Sequence, residues 1–369
     1  MLKLPVRMII LLLFITLSTS VLSQSDSEIN VYKIKNIVSL TSEKGFIYIH
    51  TPKVGYLRGS YPEQFSVEIS KLYRSQNTFN LYGCYIRRGF SFSYVNFDNP
   101  IVNGGYLAGY FIEPIYRLSQ SLLFTLKGEL GLSYLTNPNS LNNSQNLSYS
   151  THINSNIRIG GGFSYYLTNK FVLSANSSFH HASNTAFNHP NLGINWITGS
   201  FSILYYPLGN KLPHYVRKKP DNWKNERIKK EISLFFCPAQ SYYWTYQFKR
   251  NYVAGMDFEL IKKVSDINEV TAGIEAYYND ITADQGTVYK NNTAAFQSGV
   301  LIGHRLLMNR FLFSQQLGFY LTSFPSYNSE IFFRLGIYYT LFPNWKVGIN
   351  FKAHGKTADF LDFRLGYTF

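Results

Sequence analysis

The feature that most constrains this chain is a two-residue alternation of apolar with small or polar side chains, which continues from about Lys44 to the last residue. The alternation comes in runs of about ten residues, broken by Asn, Pro, Ser, Asp and Gly, as in strands that cross a membrane. The clearest runs are Gln64–Tyr73, Tyr82–Phe97, Tyr106–Tyr116, Leu122–Leu135, Ile157–Leu167, Phe171–Ser183 and Ile197–Tyr206. The pattern predicts an all-β, antiparallel membrane β-barrel.

The last strand shows this pattern most clearly. One face carries Leu361, Phe363, Leu365, Tyr367 and Phe369, and the other carries Asp362, Arg364, Gly366 and Thr368. An alternating strand that ends on a terminal aromatic residue resembles the C-terminal signal of bacterial outer-membrane barrels. An edge strand of an ordinary β-sandwich would leave this apolar stripe to be covered at a chain end, so the sequence favours the bacterial outer membrane.

The N-terminal residues indicate export. Lys3 and Arg7 precede an apolar run from Met8 to Leu17, and a Ser/Thr-rich stretch follows it through Ser23, so residues 1–23 are predicted to be a signal peptide. The apolar run is shorter than the roughly 20 residues that a spanning helix needs. The 30 Tyr, 30 Phe and 26 Gly residues match the aromatic girdles and strand glycines of a barrel.

A polar, basic stretch at residues 210–230 divides two blocks of strands and is predicted to be a linker or a periplasmic turn. The first block spans residues 24–209 and the second spans 231–369. We expect the two blocks to form either two tandem barrels of about eight strands each or one wider barrel, since membrane barrels of both sizes occur. The two cysteines, Cys84 and Cys237, imply no disulfide framework.

The formal net charge of +14 admits nucleic acid, an anionic membrane surface or a polyanionic lipid as a partner. Nucleic acid does not fit an exported chain whose basic residues are scattered along strands and turns. An anionic glycolipid such as lipopolysaccharide fits the predicted location better. The sequence gives no oligomeric state, and no spacing of His, Cys, Asp or Glu indicates a metal site.

Three polar residues interrupt the apolar faces of two consecutive predicted strands. Counting by twos places His181 and Ser183 in phase with Phe171 and Phe179, and places Asn195 in phase with the apolar residues of the next strand. In a membrane barrel that face contacts lipid, where polar groups are costly and tend to be functional. These three residues can form a nucleophile, a base and an orienting group that attack a lipid beside the barrel.

If the chain termini are periplasmic, the loop between these two strands lies outside, near the outer leaflet. His180 has the opposite phase and is predicted to face the barrel interior.

The same stretch resembles a known family. His181-x-Ser183-Asn184 and the run Pro190–Asn195 are similar to the H-x-S-N and N-P-G-x-N/E motifs of the PagL-type lipid A 3-O-deacylases, also called acyloxyacyl hydrolases. Gly45–His50 and Gly131–Thr136 also resemble barrel landmarks of that family. The resemblance covers about residues 45–207, and it is specific at the motif and weak elsewhere.

The resemblance implies an outer-membrane serine esterase without a cofactor that removes an ester-linked acyl chain from lipid A. Ser183 would be the nucleophile and His181 its general base, while Asn184 and Asn191 would support the loop or the oxyanion. The third catalytic residue of the best-known members is a carboxylate, and the matching position here is Asn195. An amide oxygen can orient the imidazole but cannot stabilise the imidazolium by charge.

Two other functions remain open from the sequence. A non-catalytic barrel, structural or channel-forming, would explain the amide at Asn195, and a phospholipase would use the same Ser–His pair on glycerophospholipids. In the second block the position two residues after His354 is Lys356 instead of Ser, so no active site is predicted there. That block would be structural, or would hold a glycolipid headgroup through Lys352, Lys356 and Arg364.

Overall fold

The computed structural model describes residues 36–185, 187–209, 211–218, 222–242, 248–280, 295–322, 330–354 and 357–369. Within these ranges the chain forms sixteen β-strands, one short α-helix and three 3₁₀ segments. The predicted signal peptide, residues 1–23, lies outside the described residues. Among the helices that are described, none has the length and hydropathy needed to cross a membrane.

The first eight strands form a closed antiparallel barrel in which each strand pairs with the next and β8 pairs back with β1. They are β1 (Ile37–Ile47), β2 (Glu63–Tyr73), β3 (Tyr85–Asn96), β4 (Gly104–Arg117), β5 (Leu122–Leu135), β6 (Ile153–Tyr166), β7 (Phe171–Ser183) and β8 (Ile194–Tyr205). The closing register aligns Ser42 with Phe201 and Ile47 with Trp196. This closure leaves the first barrel without a free sheet edge.

The last eight strands form a second closed antiparallel barrel, in which β16 pairs back with β9. They are β9 (Lys229–Tyr242), β10 (Phe248–Ser265), β11 (Asn268–Asn279), β12 (Phe296–Met308), β13 (Phe311–Tyr320), β14 (Ile331–Phe342), β15 (Trp345–His354) and β16 (Thr357–Thr368). The choice left open by the sequence is therefore resolved in favour of two eight-stranded barrels. Lys229 and Lys230, the last residues of the predicted linker, already belong to β9.

The period-two pattern separates an apolar exterior from a polar interior in both barrels. Outward-facing residues such as Phe201 and Ile159 are 77% and 63% exposed. The interior contains buried ion pairs, including Arg158 with Glu43 at 3.1 Å and Arg305 with Glu231 at 2.8 Å. An interior of this size is just wide enough for side chains to fill.

The expectation that Lys352 and Arg364 hold a glycolipid headgroup is wrong for these two residues. Both are buried inside the second barrel, where Lys352 pairs with Glu275 at 3.0 Å and Arg364 pairs with Asp362 at 2.7 Å. A cation inside so narrow a barrel must have a local counter-charge, so these side chains are used internally. Lys356 lies outside the described residues.

The connections differ between the two ends of the strands. At one end lie short turns such as 118–121, 167–170 and 309–310, together with the helix α1 (Gln76–Tyr82), whereas the other end of the first barrel carries the longer loops 48–62, 97–103, 136–152 and 184–193. Barrels of the outer membrane have short periplasmic turns and longer external loops. The loop between β7 and β8 is therefore at the external end.

Candidate active site

The external end of the first barrel brings together the three residues that the sequence singled out. His181 and Ser183 end β7, Asn195 is the second residue of β8, and the antiparallel register places His181 directly opposite Asn195. The phase of His181 is that of Phe179, which is 40% exposed on the outer surface. The group therefore lies on the outward face of the barrel wall, at the rim.

The side chains form a continuous hydrogen-bonded series. His181 Nε2 lies 3.0 Å from Ser183 Oγ, and His181 Nδ1 lies 2.6 Å from Asn195 Oδ1. Ser183 and Asn195 are both 8% exposed, and His181 is half-buried. This is the arrangement of nucleophile, base and orienting group by which hydrolases of several unrelated folds activate a serine.

A fourth residue, His50, extends the series beyond the predicted group. Asn195 Nδ2 donates to His50 Nδ1 at 2.9 Å, and His50 Nε2 lies 3.0 Å from the carbonyl oxygen of Leu192. From the sequence, His50 belongs only to the barrel landmark Gly45–His50, because it precedes Asn195 by 145 residues. A signal was present, since closing an eight-stranded barrel pairs the end of the first strand with the start of the eighth.

The loop between β7 and β8 is held by asparagine side chains. The backbone N–H of Asn184 donates to Asn191 Oδ1 at 3.0 Å. The side-chain amide of Asn184 donates to the carbonyl oxygen of Asn188 at 2.8 Å and to Ser150 Oγ at 3.2 Å. Asn184 and Asn191 therefore contact each other, and in this structure they hold the loop against residues 148–150.

The neighbouring loops at residues 48–62 and 136–152 also support the loop between β7 and β8. Leu192 N donates to the carbonyl oxygen of Leu147 at 3.0 Å, and Gly193 N donates to that of Ser148 at 2.7 Å. The Tyr56 hydroxyl accepts from the backbone N–H groups of Leu147 and Ser148 at 3.0 and 3.1 Å. Burial raises the pKa of the Tyr56 phenol, which keeps it a neutral hydroxyl.

Gly193 packs directly against the imidazole of His181. Its φ is +76°, in the left-handed region that favours glycine, and a Cβ built on it would lie 2.8 Å from His181 Cε1. The glycine therefore allows the loop to pass close to the ring, between its two hydrogen-bonding nitrogens.

His180 faces the interior, which confirms the prediction from its phase. Its Nε2 lies 3.0 Å from Thr198 Oγ1 and 3.4 Å from Glu43 Oε2, and its ring stacks on Trp196 with centroids 4.7 Å apart. This histidine belongs to the packed interior and is separated from Ser183 by the barrel wall.

In the second barrel, His354 is buried at the end of β15, where it pairs with Asp359 and stacks on Tyr320 with ring centroids 5.2 Å apart. Lys352, two residues earlier, also points inward. The described part of β15 thus holds its histidine on the interior side, as β7 holds His180, and it has no outward histidine that matches His181. In the described parts of both barrels, no group of three or more His, Cys, Asp or Glu residues is arranged to hold a metal ion.

One family model matches part of the chain. Residues 230–369 match the family model described as "Acyloxyacyl hydrolase, C-terminal domain". This match supports a PagL-type family for the part of the chain that forms the second barrel. The match covers the second barrel, whereas the motif resemblance noted from the sequence lies in the first barrel.

The two closed antiparallel barrels and this match place the protein in the bacterial outer membrane. A search of curated proteins finds no match.

Solved structures similar to this chain include channels. A mutant of the TodX monoaromatic hydrocarbon channel has 9% identity and a TM-score of 0.20, covering 91% of this chain and 89% of that one. An outer-membrane channel from Pseudomonas putida F1 has 7% identity and a TM-score of 0.23, covering 94% of this chain and 100% of its own. TM-scores this low carry no argument about function.

Proposed function

We propose that the protein is an outer-membrane serine esterase that hydrolyses an ester-linked acyl chain of lipid A. The observation that carries the proposal is the contact of His181 Nε2 with Ser183 Oγ at 3.0 Å, on the outward face of a membrane barrel. The acyloxyacyl hydrolase family match and the external position of the β7–β8 loop support the same reading.

The geometry suggests the order of events. Ser183 Oγ attacks the acyl carbonyl while His181 Nε2 takes its proton, and the sugar oxygen then leaves with that proton from the imidazolium. Water, deprotonated by His181, next hydrolyses the acyl-serine to release a fatty acid. Asn195 orients the imidazole through His181 Nδ1, and Asn184 and Asn191 hold the loop around the ester.

The choice of lipid A as substrate follows from the resemblance and the charge. A chain with a formal net charge of +14 is attracted to a lipid that carries phosphates in the outer leaflet. The ion-paired interiors of both barrels give no support to the alternative of an open channel.

Mass spectrometry of lipid A tests the proposal directly. Cells that express the wild-type chain are expected to lose one acyl mass from lipid A, and cells that express Ser183→Ala are expected to keep it. Ser177→Ala, an exposed serine on the outward phase of the same strand, is the matched control and should behave as wild type. Unchanged lipid A with folded wild-type protein would overturn the proposal, and phospholipids that lose chains instead would identify a phospholipase.

A further inference from the structure

His50 lies at the external rim of the first barrel, and its ring contacts Asn195, the residue that orients His181. It lies just beyond β1 and joins Asn195 Nδ2 to the carbonyl oxygen of Leu192. The mechanism proposed above does not use it. What it contributes follows from the fixed direction of each hydrogen bond in the series.

The direction is set at one end by a group that can only accept. The carbonyl oxygen of Leu192 accepts, so His50 Nε2 carries the hydrogen and His50 Nδ1 of the neutral ring accepts. The group facing His50 Nδ1 must then be the NH₂ of Asn195, which places Asn195 Oδ1 against His181.

The series of hydrogen bonds continues from Asn195 to the nucleophile. Because Asn195 Oδ1 accepts, His181 Nδ1 carries the hydrogen, and His181 Nε2 has the lone pair that accepts from Ser183 Oγ. A carboxylate would impose this tautomer without help, since both of its oxygens accept. An amide does so only in one of its two orientations, and in the other its NH₂ would leave the hydrogen on His181 Nε2.

We infer that His50 is a positioning residue that fixes the amide orientation of Asn195 and thereby holds His181 in the tautomer that can deprotonate Ser183. This inference rests on the proposed esterase function for its kinetic consequence. With His50 in place, the amide of Asn195 can orient His181, a role that a carboxylate would fill without a further residue. Loss of the correct tautomer costs serine hydrolases on the order of 10⁴-fold in turnover when it is complete.

The test is a set of variants in two backgrounds. In the wild-type background, His50→Phe keeps an aromatic ring but removes the acceptor for Asn195 Nδ2 and the donor to the Leu192 carbonyl oxygen. It is expected to lower kcat about 10- to 100-fold without changing KM, because both amide orientations of Asn195 then become populated. His50→Gln restores an acceptor and should remain within about threefold of wild type. In the Asn195→Asp background, His50→Phe should cost no more than about threefold, since the carboxylate needs no orientation.

The control is His152→Phe, at the same rim, where the ring contacts the Leu135 carbonyl oxygen at 2.8 Å and stacks on Tyr134, away from the triad. It should leave kcat unchanged. A second readout is independent of turnover: the ¹⁵N shifts of His181 should show hydrogen on Nδ1 in the wild type and a mixture of tautomers in His50→Phe.

The outcomes separate the inference from the proposed function. An equal loss of kcat for His50→Phe in both backgrounds, or an unchanged His181 tautomer, would overturn the role of His50 even if the protein is an esterase. Absence of ester cleavage by the wild-type chain would reject the proposed function, and the tautomer measurement would still decide the inference.

Discussion

Replacing Gly193 by Ala should impair the site while leaving the barrel folded. The added Cβ would lie 2.8 Å from His181 Cε1, and ordinary contact begins at 3.4 Å, so the ring or the loop must move by about 0.6 Å. That displacement acts on an imidazole held by contacts of 3.0 Å to Ser183 Oγ and 2.6 Å to Asn195 Oδ1. Misplacement on the order of 1 Å can cost about 100-fold in rate, so we expect kcat to fall about 10- to 100-fold.

The same substitution also strains the backbone, and a matched control separates the two effects. Alanine at a φ of +76° costs roughly 1 kcal/mol of folding stability. Gly59 has a φ of +79°, lies in another external loop and has open space where a Cβ would be added. Gly59→Ala therefore introduces the strain without the contact to His181, and should keep wild-type kcat.

The assay is ester cleavage on purified lipid A in detergent micelles, with urea unfolding of each variant to measure stability. The contact with the imidazole predicts a loss of kcat in Gly193→Ala alone and similar midpoints of unfolding for both variants. Equal kcat in the two variants, or a loss in Gly193→Ala that matches its unfolded fraction, would show that the contact with the imidazole has no effect on catalysis.

Three further outcomes follow from the structure. Asn195→Asp should raise kcat several-fold because a carboxylate stabilises the imidazolium by charge, and steady-state kinetics that show a lower kcat would contradict this. Asn184→Ala removes the buried side-chain donors to Asn188 and Ser150, and should lower kcat about tenfold and the free energy of unfolding by roughly 1 kcal/mol, so an unchanged kcat would show that these contacts do not serve catalysis. Glu43→Leu removes the nearer of the two carboxylates that face Arg158, at 3.1 Å, and leaves Glu129 at 3.9 Å, so it should destabilise the first barrel by about 3 kcal/mol in urea unfolding, which an unchanged stability would disprove.

Much of the fold could be predicted from local sequence pattern. Period-two alternation identified the strands, their inward and outward faces and the membrane environment, because side-chain direction in a strand depends only on position along it. The same counting placed His180 inside and His181 with Ser183 outside. The counting also placed Lys352 and Arg364 on the polar face, but the expectation that they hold a glycolipid headgroup was wrong. The alternation does not show that the interior of an eight-stranded barrel is too narrow to admit a headgroup.

The local features follow from the sequence alone: the strands, their faces and a His-x-Ser pair on the outward face of one of them. The closing of the strands into two barrels is seen only in three dimensions, since it depends on β8 pairing with β1 and β16 pairing with β9. That closure also brings His50 to Asn195 across 145 residues. Contacts between strands far apart in the chain depend on where the sheet closes, and strand alternation carries no information about that point.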